Sequence, residues 1–320
     1  MSDPDDISDL LGAWRVGPAL SAIAPGAGTI HRTLLIATAA GEYALRGYRY
    51  GEIRPIADEH ALIAYAGERG VPAVAPLALP GGGTILERAG RFFALFPRAP
   101  GRQIARQNLR RGDASAMGRC LAELHRALAA FPAELARRRS LDADPAAALA
   151  TIARVEQAIR ARSAADEIDL RALRALAERR AWIERAGARP QGIGELDQQV
   201  IHGDYQETNL FFARGRVSAV IDWDQAYLAP RAWEVVRTMH LALGFQAGLC
   251  RAFLAGYRAS RPLAAPELDL TARYYAWLRA HDLWVYQSLY LEGNQRVRAF
   301  VEPDGFAPLI DRWRELRESL

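Results

Sequence analysis

An aspartate, an asparagine and a second aspartate follow one another in this chain at spacings that suit phosphoryl transfer. Asp204 and Asn209 lie in a segment that runs from a loop into a strand, and Asp222 follows the next apolar strand. In phosphoryl transfer a carboxylate orients the attacking hydroxyl, and further oxygen ligands hold the metal ions that bridge the nucleotide phosphates. We therefore expect Asp204 to be the catalytic base or orienting group and Asn209 and Asp222 to bind Mg²⁺.

The turn between the two strands explains how the second aspartate comes back to the asparagine. Residues 214–215 form a short connection, so the chain doubles back and places Asp222 near Asn209. Asp224 is then a candidate for a second metal or for support of the first. Taken singly, such residues more often cap turns and bond to the backbone. The ordered set favours a catalytic site.

Composition and charge bound the class of protein. The chain has 320 residues and is 50% hydrophobic, which suits one large domain or two lobes. The acidic start at residues 1–6 argues against a signal peptide, and no apolar run is long enough to span a bilayer. Cys120 and Cys250 lie far apart without metal-ligand spacing, which indicates a reducing compartment. We expect a cytoplasmic protein without a membrane partner.

All 41 basic residues are arginine, and the formal net charge is +4. Arginine favours phosphate, so a nucleic-acid partner has to be considered. The arginines of 137–139 and 154–189 are mostly interleaved with Glu, Asp and Ala at helical spacing, which is typical of a solvated helix face. We therefore expect no nucleic-acid partner, and the sequence leaves the oligomeric state open.

The pattern along the chain predicts an α+β fold with two lobes. The first part reads as strands with one helix, and the second part reads as helices around a compact β region. The predicted strands are 29–37, 43–48, 84–88 and 91–96, the β region spans 200–221, and the predicted helices are 56–69, 114–130, 145–186 and those after 230. The segment 97–101 breaks regular structure. We predict an N-lobe at 1–97 and a C-lobe at 98–320, with ligands between them.

The segments 202–209 and 221–224 resemble the aminoglycoside phosphotransferase and choline kinase-like superfamily, whose members share the protein-kinase fold. Residues 121–125 and 230–234 are similar to helical segments of that family's larger lobe. The resemblance covers nearly the whole chain. It implies transfer of the γ-phosphoryl group of ATP, with Mg²⁺, to a hydroxyl of a small molecule.

The resemblance also implies residues for the nucleotide. The family places a lysine on its third strand and pairs it with a glutamate on the following helix; the best matches are Arg46 and Glu59. An arginine can contact phosphates and pair with a carboxylate. Residues 25–29 contain Gly-x-Gly and would form the loop that covers the phosphates.

The segment that joins the two predicted lobes resembles the family's hinge. Phe96 would close the back of the adenine pocket, the Pro97 carbonyl would accept from the adenine amine, and the Ala99 N–H would donate to the ring. Proline lacks an N–H, but this position needs only a carbonyl.

The sequence leaves the phosphoryl acceptor open among an amino-alcohol, an amino acid, a sugar and an antibiotic-like metabolite. Residues 205–208 depart from the histidine and Pro-Gly that many relatives carry. The aromatic residues of 274–290 are either the core of a helical bundle or a cage for a cationic amino-alcohol. A protein Ser/Thr kinase of the same fold is an alternative, although the short segment 223–230 leaves little room for peptide docking. A non-catalytic nucleotide-binding scaffold is a second alternative, favoured only by Arg46.

Overall fold

The computed structural model describes residues 4–24, 32–185 and 189–320. After helix α1 (Pro4–Leu11) comes a five-stranded antiparallel sheet in the order β1-β2-β3-β5-β4. Its strands are β1 (Ser21–Ile23), β2 (Arg32–Thr38), β3 (Gly41–Gly47), β4 (Leu86–Arg88) and β5 (Arg91–Pro97). The predicted phosphate-covering loop at 25–29 lies outside the described residues.

The two faces of this sheet serve different purposes. Leu34, Ile36 and Leu45 are buried together with residues of α1 in one apolar cluster. Successive side chains of a strand point to opposite faces. Arg46, which follows Leu45 and pairs with Thr33 and Ala94, therefore faces away from that cluster.

Helix α2 (Arg54–Glu68) connects the sheet to the rest of the molecule. It begins with a proline in its first turn, where the missing N–H costs nothing. Ile56, Glu59 and Ile63 recur at helical spacing on its buried side. Ile63 and Ala66 belong to the same apolar cluster as residues of the helical part, so α2 bridges the two parts of the fold.

Eight helices follow the sheet in the described part of the chain. They are α3 (Arg111–Leu128), α4 (Pro145–Arg160), α5 (Glu167–Arg185), α6 (Arg231–Leu241), α7 (Ala247–Arg258), α8 (Ala265–His281), α9 (Trp284–Tyr290) and α10 (Leu309–Arg317). The predicted helical segment 145–186 is divided in two. Asp166 explains the second start, because its carboxylate accepts from the backbone N–H of Ile168 and Asp169 and so satisfies the first turn of α5.

Four short strands lie within the helical part. They are β6 (Gln198–Ile201), β7 (Leu210–Ala213), β8 (Arg216–Val220) and β9 (Tyr227–Pro230). The predicted hairpin β7–β8 turns at Arg214 and Gly215, which both have positive φ, as a type I′ turn requires. Strand β9 pairs with β6 and was not predicted, because its residues read as a connection between the site and α6.

The predicted α+β fold with a β-rich part and a larger helical part is confirmed. Strand β5 ends at Pro97, the residue at which the sequence analysis divides the chain. The division into lobes at 97 and 98 itself stays a prediction. In the described part of the chain, no helix has the length and apolar character needed to cross a membrane.

Candidate active site

The loop before β7 brings the predicted base and the predicted amide ligand into contact. The Asn209 side-chain nitrogen donates to the Asp204 carboxylate at 2.7 Å and to the Asp204 carbonyl at 2.9 Å. Gln206 also donates to that carboxylate, at 3.1 Å. Because Asn209 uses its nitrogen on Asp204, its amide oxygen is the atom that remains for a metal ion.

The second aspartate returns to this loop as predicted from the hairpin. The Ile221 N–H donates to the Asn209 carbonyl at 3.0 Å, which fixes Asp222 beside Asn209. Asp222 has φ 66° and ψ 64°, a left-handed conformation that aspartate adopts more readily than most residues. Its side chain is 42% exposed, so its carboxylate is accessible to a ligand.

Arg46 connects the β-rich part to this loop through a forked contact. Its Nη1 donates to Glu59 of α2 at 3.0 Å, and its Nη2 donates to Asp222 at 2.8 Å. The same Nη2 lies 3.7 Å from the carboxylate of Asp224. One planar guanidinium therefore serves three carboxylates, which a lysine ammonium could not do with the same geometry.

The charges around Arg46 keep it protonated. Burial alone would lower its pKa, but the negative charges of Glu59, Asp222 and Asp224 outweigh burial, and the pKa is raised. The guanidinium also lies 5.2 Å from the centre of the Tyr48 ring, a cation–π contact. Arg46 is therefore a fixed positive charge at the junction of the two parts.

A buried glutamate on α6 holds the start of the loop that carries Asp204. Glu234 accepts from the backbone N–H of His202 at 3.0 Å, from that of Gly203 at 2.6 Å and from His125 Nε2 at 2.9 Å. Burial would raise the pKa of Glu234, but these donors overcome it and the pKa is lowered. Burial lowers the pKa of His125, and its other ring nitrogen lies 2.8 Å from the Tyr257 hydroxyl. His125 is thus packed inside the helical part and fully buried.

Both ring nitrogens of His202 are engaged with the backbone of the site. Its Nε2 lies 3.0 Å from the Ile221 carbonyl and donates to it, and its Nδ1 accepts from the Asp204 N–H at 3.2 Å. Gly203 has φ +80°, and a Cβ there would lie 2.0 Å from the Gln225 carbonyl. Only glycine fits this position, because any side chain would push the loop away from the segment that carries Asp222.

Sequence reasoning missed Arg237, the cation beside the predicted base. Its Nη2 donates to the Asp204 carboxylate at 2.7 Å from one turn beyond Glu234 on α6. Burial opposes its charge, but Asp204 outweighs burial and the pKa of Arg237 is raised. Arg237 is one of many arginines on predicted helices. The only feature of the sequence that could have indicated its place at the site is its position three residues after Glu234, on the same face of the helix.

The structure places the three predicted hinge residues at the end of β5 and just beyond it. Pro97 is opposite Tyr43 in the sheet, and the Phe96 ring meets the His60 ring edge-on at 5.9 Å. Ala99 is half-buried in the following segment. The roles of Phe96, Pro97 and Ala99 toward adenine stay predictions.

The aromatic residues of the C-terminal helices are mostly core. Tyr274, Tyr275, Trp277 and Tyr286 are buried, whereas Trp284 is exposed. Buried rings packed on one another have no face free for a ligand. Of the two readings that the sequence left open, the helical core fits this arrangement and the cage for a cation does not.

Comparisons with known proteins identify the family of the chain. The phosphotransferase enzyme family matches residues 21–267. Homoserine kinase of Phenylobacterium zucineum (strain HLK1) is 28% identical over 82% of this chain and 78% of its own length. Homoserine kinase of Chelativorans sp. (strain BNC1) is 27% identical over 87% of each.

Among solved structures, a spectinomycin phosphotransferase, APH(9)-Ia, in complex with ADP and spectinomycin is similar in fold. The TM-score is 0.70 at 14% identity, over 99% of both chains. The match to the family model, over residues 21–267, extends from β1 into α8 and includes Asp204, Asn209 and Asp222. The predicted resemblance is confirmed: the chain belongs to the phosphotransferase enzyme family and is a kinase that acts on a small-molecule hydroxyl.

Proposed function

We propose that the chain transfers the γ-phosphoryl group of ATP to a small-molecule hydroxyl, with Mg²⁺ as the metal. The observation that carries this proposal is the cluster around Arg46, where Glu59, Asp222 and Asp224 place three carboxylates against one guanidinium. Burial raises the pKa of Glu59 to about 7, but Asp222 and Asp224 still outnumber the one guanidinium of Arg46, and a divalent cation would balance this charge.

The donor set around Asp222 fits magnesium. In proteins Mg²⁺ is usually held by one or two carboxylates together with substrate phosphates, rather than by a cage of side chains. Asp222 and the amide oxygen of Asn209 supply such a partial set. In the described part of the chain no group of three or more His, Cys, Asp or Glu side chains could hold a metal by itself. When bound, Mg²⁺ would neutralise charge that develops on the phosphates.

The other residues of the site have separate roles in this proposal. Asp204 orients the acceptor hydroxyl and accepts its proton as the oxygen attacks the γ-phosphorus. Arg46, held by Glu59, contacts the α- and β-phosphates. Phe96, Pro97 and Ala99 hold the adenine at the hinge. Asn209 positions both the metal and the carboxylate of Asp204, because its amide bonds to that carboxylate at 2.7 Å.

We propose L-homoserine as the first acceptor to test. Two relatives named homoserine kinase align with this chain over most of their length. Their identity of 27–28% supports an acceptor of this kind without fixing it. An amino acid of this size, which carries a primary hydroxyl, fits one of the acceptor classes that the sequence left open.

The compartment and the partners belong to the same proposal. Cys120 and Cys250 are both free and buried, which suits a reducing cytoplasm. Arginines on the exposed helix faces pair with carboxylates of their own helices, for example Arg171 with Glu167 on α5. This pairing supports a solvated face and no nucleic-acid partner.

The test is a transfer assay with wild-type protein, ATP and Mg²⁺ across L-homoserine, L-serine, ethanolamine, choline, glycerol and hexoses. We expect acceptor-dependent ADP formation and a phosphorylated product, with L-homoserine as the first candidate. Magnesium-dependent ATP binding without turnover of any acceptor would favour the scaffold. Failure to bind any nucleotide would overturn the kinase assignment.

A further inference from the structure

Arg237 has more hydrogen-bonding capacity than the site uses. Its Nη2 donates to Asp204 at 2.7 Å. Its Nη1 is buried and, among the described residues, has no hydrogen-bond partner. A buried guanidinium N–H without a partner costs free energy unless a ligand supplies an acceptor.

Two more arginines lie beside the end of the same helix. Arg312 of α10 donates to the Gly244 carbonyl at 2.8 Å. Arg106 lies against the same glycine, with its Nη2 2.5 Å from the position that a Cβ on Gly244 would take. In the described part of the chain, neither Arg106 nor Arg312 has a carboxylate within ion-pair distance.

Burial and the positive charge of these arginines lower the pKa of His240, which lies one turn after Arg237 on α6. Its Nδ1 is 3.0 Å from the Tyr275 hydroxyl. Burial, and then the positive charges of Arg279, Arg312, Arg106 and Arg237, lower the pKa of His240 to about 3. Arg279 is already paired with Asp282. Arg106, Arg237 and Arg312 outnumber the carboxylates of Asp204 and Glu207 beside them, so positive charge is in excess next to the predicted base.

We propose that Arg106, Arg237 and Arg312, here called the arginine cluster, bind a carboxylate of the acceptor whose hydroxyl faces Asp204. This inference rests on the proposed function and names its acceptor class. Nη1 of Arg237 would take the acceptor carboxylate while Nη2 keeps the base in place. One guanidinium then orients the base and the substrate together. A polycationic aminoglycoside would be repelled from the same position.

The experiment compares acceptors that differ only in the carboxylate. L-homoserine is paired with 3-amino-1-propanol, and L-serine with ethanolamine, and kcat/KM is measured for each at saturating ATP and Mg²⁺. Wild type is expected to prefer the carboxylate member of a pair. Arg237→Gln and Arg312→Gln are each expected to reduce that preference roughly 10- to 100-fold, the value of a charge-assisted hydrogen bond.

Two comparisons separate carboxylate binding from other effects. Arg312 does not touch Asp204, so a lower preference in Arg312→Gln cannot come from the base. Arg314, on the same helix, is exposed and pairs with Asp311, so Arg314→Gln is the matched control and is expected to keep the wild-type preference. Arg237→Lys is expected to restore part of what Arg237→Gln loses.

The outcomes distinguish this inference from the proposed function. Transfer to both members of a pair with equal kcat/KM would overturn the carboxylate assignment and leave the kinase intact. A raised KM for ATP in Arg237→Gln with an unchanged carboxylate preference would assign Arg237 to the γ-phosphate and also overturn it. Absence of nucleotide binding would overturn the proposed function, and this inference with it.

Discussion

The two sides of the site each contain an arginine bonded to an aspartate, but their charge balance is opposite. On the nucleotide side, Arg46 is shared among Glu59, Asp222 and Asp224. On the acceptor side, Asp204 has Arg237 as its ion-pair partner, and the rest of the arginine cluster adds further positive charge. The difference indicates what each side would bind, a divalent cation with its phosphates on the first and an anion on the second.

The sharpest way to separate the two sides is Asp204→Asn. The amide keeps the shape but cannot accept the hydroxyl proton, so kcat is expected to fall roughly 10²- to 10⁴-fold. The Kd for ATP should change little, because Asp204 lies on the acceptor side. Steady-state rates and calorimetric nucleotide binding measure the two effects.

Asp197→Asn is the matched control for that variant. Asp197 is exposed just before β6, in the segment that leads to the catalytic loop. It should leave both kcat and nucleotide affinity unchanged. A loss of nucleotide affinity in Asp204→Asn as large as its loss of kcat would contradict the separation into two sides.

The nucleotide side is expected to depend on Arg46 for stability as well as for binding. In Arg46→Met, Glu59 would be left buried without its ion-pair partner, and the free energy of unfolding should fall by about 3 to 5 kcal/mol. Arg46→Lys keeps the positive charge, so its free energy of unfolding should fall by less than that of Arg46→Met. Urea unfolding measures both changes.

The matched control is Arg98→Met, which removes an exposed pair with Glu42 in the same sheet. Exposed pairs contribute about 0 to 1 kcal/mol, so the loss should be small. Equal losses in Arg46→Met and Arg98→Met would mean that the buried cluster is not what holds this side together.

Histidines with a lowered pKa make the protein sensitive to acid, among them His60 on the nucleotide side and the half-buried His240 on the acceptor side. His60 lies 2.9 Å from the Tyr48 hydroxyl and 2.7 Å from Thr84, and burial, with the charge of Arg46, lowers its pKa to about 4. The ordinary pKa is about 6.5. As the pH falls below 6.5, His60 becomes protonated in the unfolded chain but stays unprotonated in the folded chain until the pH is near 4. The free energy of unfolding therefore decreases.

For His60 the expected decrease between about pH 7 and about pH 4.5 is about 2 to 3 kcal/mol. His60→Gln should remove that part of the pH dependence and leave the part due to the other histidines with a lowered pKa, which are His125, His240 and His281. Urea unfolding of wild type and variant at the two pH values measures it. An equal decrease in both proteins would show that His60 titrates normally in the fold.

Salt should have the smallest effect of these changes. It should lower the carboxylate preference of the acceptor side and leave the nucleotide side unchanged. Arg106 and Arg312 are exposed, so raising the ionic strength from about 0.1 M to about 1 M should screen them and lower the carboxylate preference a few-fold. The stability difference between wild type and Arg46→Met should persist, because that cluster is buried. If salt changed the stability difference between wild type and Arg46→Met as much as it changes the carboxylate preference, the contrast between a buried nucleotide side and an exposed acceptor side would be contradicted.

Sequence reasoning worked where the residues of the site are close along the chain. One hairpin, whose turn at residues 214–215 was predicted from the sequence, joins Asp204, Asn209 and Asp222. The structure brings these residues together. Arg46 and Glu59 were proposed through the resemblance, and they lie in contact. Their roles in binding and catalysis stay predictions.

Sequence reasoning failed where the contact depends on how helices pack. Arg237 lies 33 residues after Asp204, and Arg312 comes from the last helix. With all basic residues being arginine, no feature of composition marks these two among the rest. Strand β9 was missed for a similar reason, since its pairing with β6 depends on tertiary contacts.

The central claim, that excess negative charge on the nucleotide side holds a metal ion, is tested most directly by titrating Mg²⁺ while measuring AMP-PNP affinity in wild type and Asp222→Asn. Mg²⁺ is expected to tighten nucleotide binding in wild type, and Asp222→Asn is expected to lose most of this dependence. Wild-type binding that does not respond to Mg²⁺, or a response that is unchanged in Asp222→Asn, would contradict it.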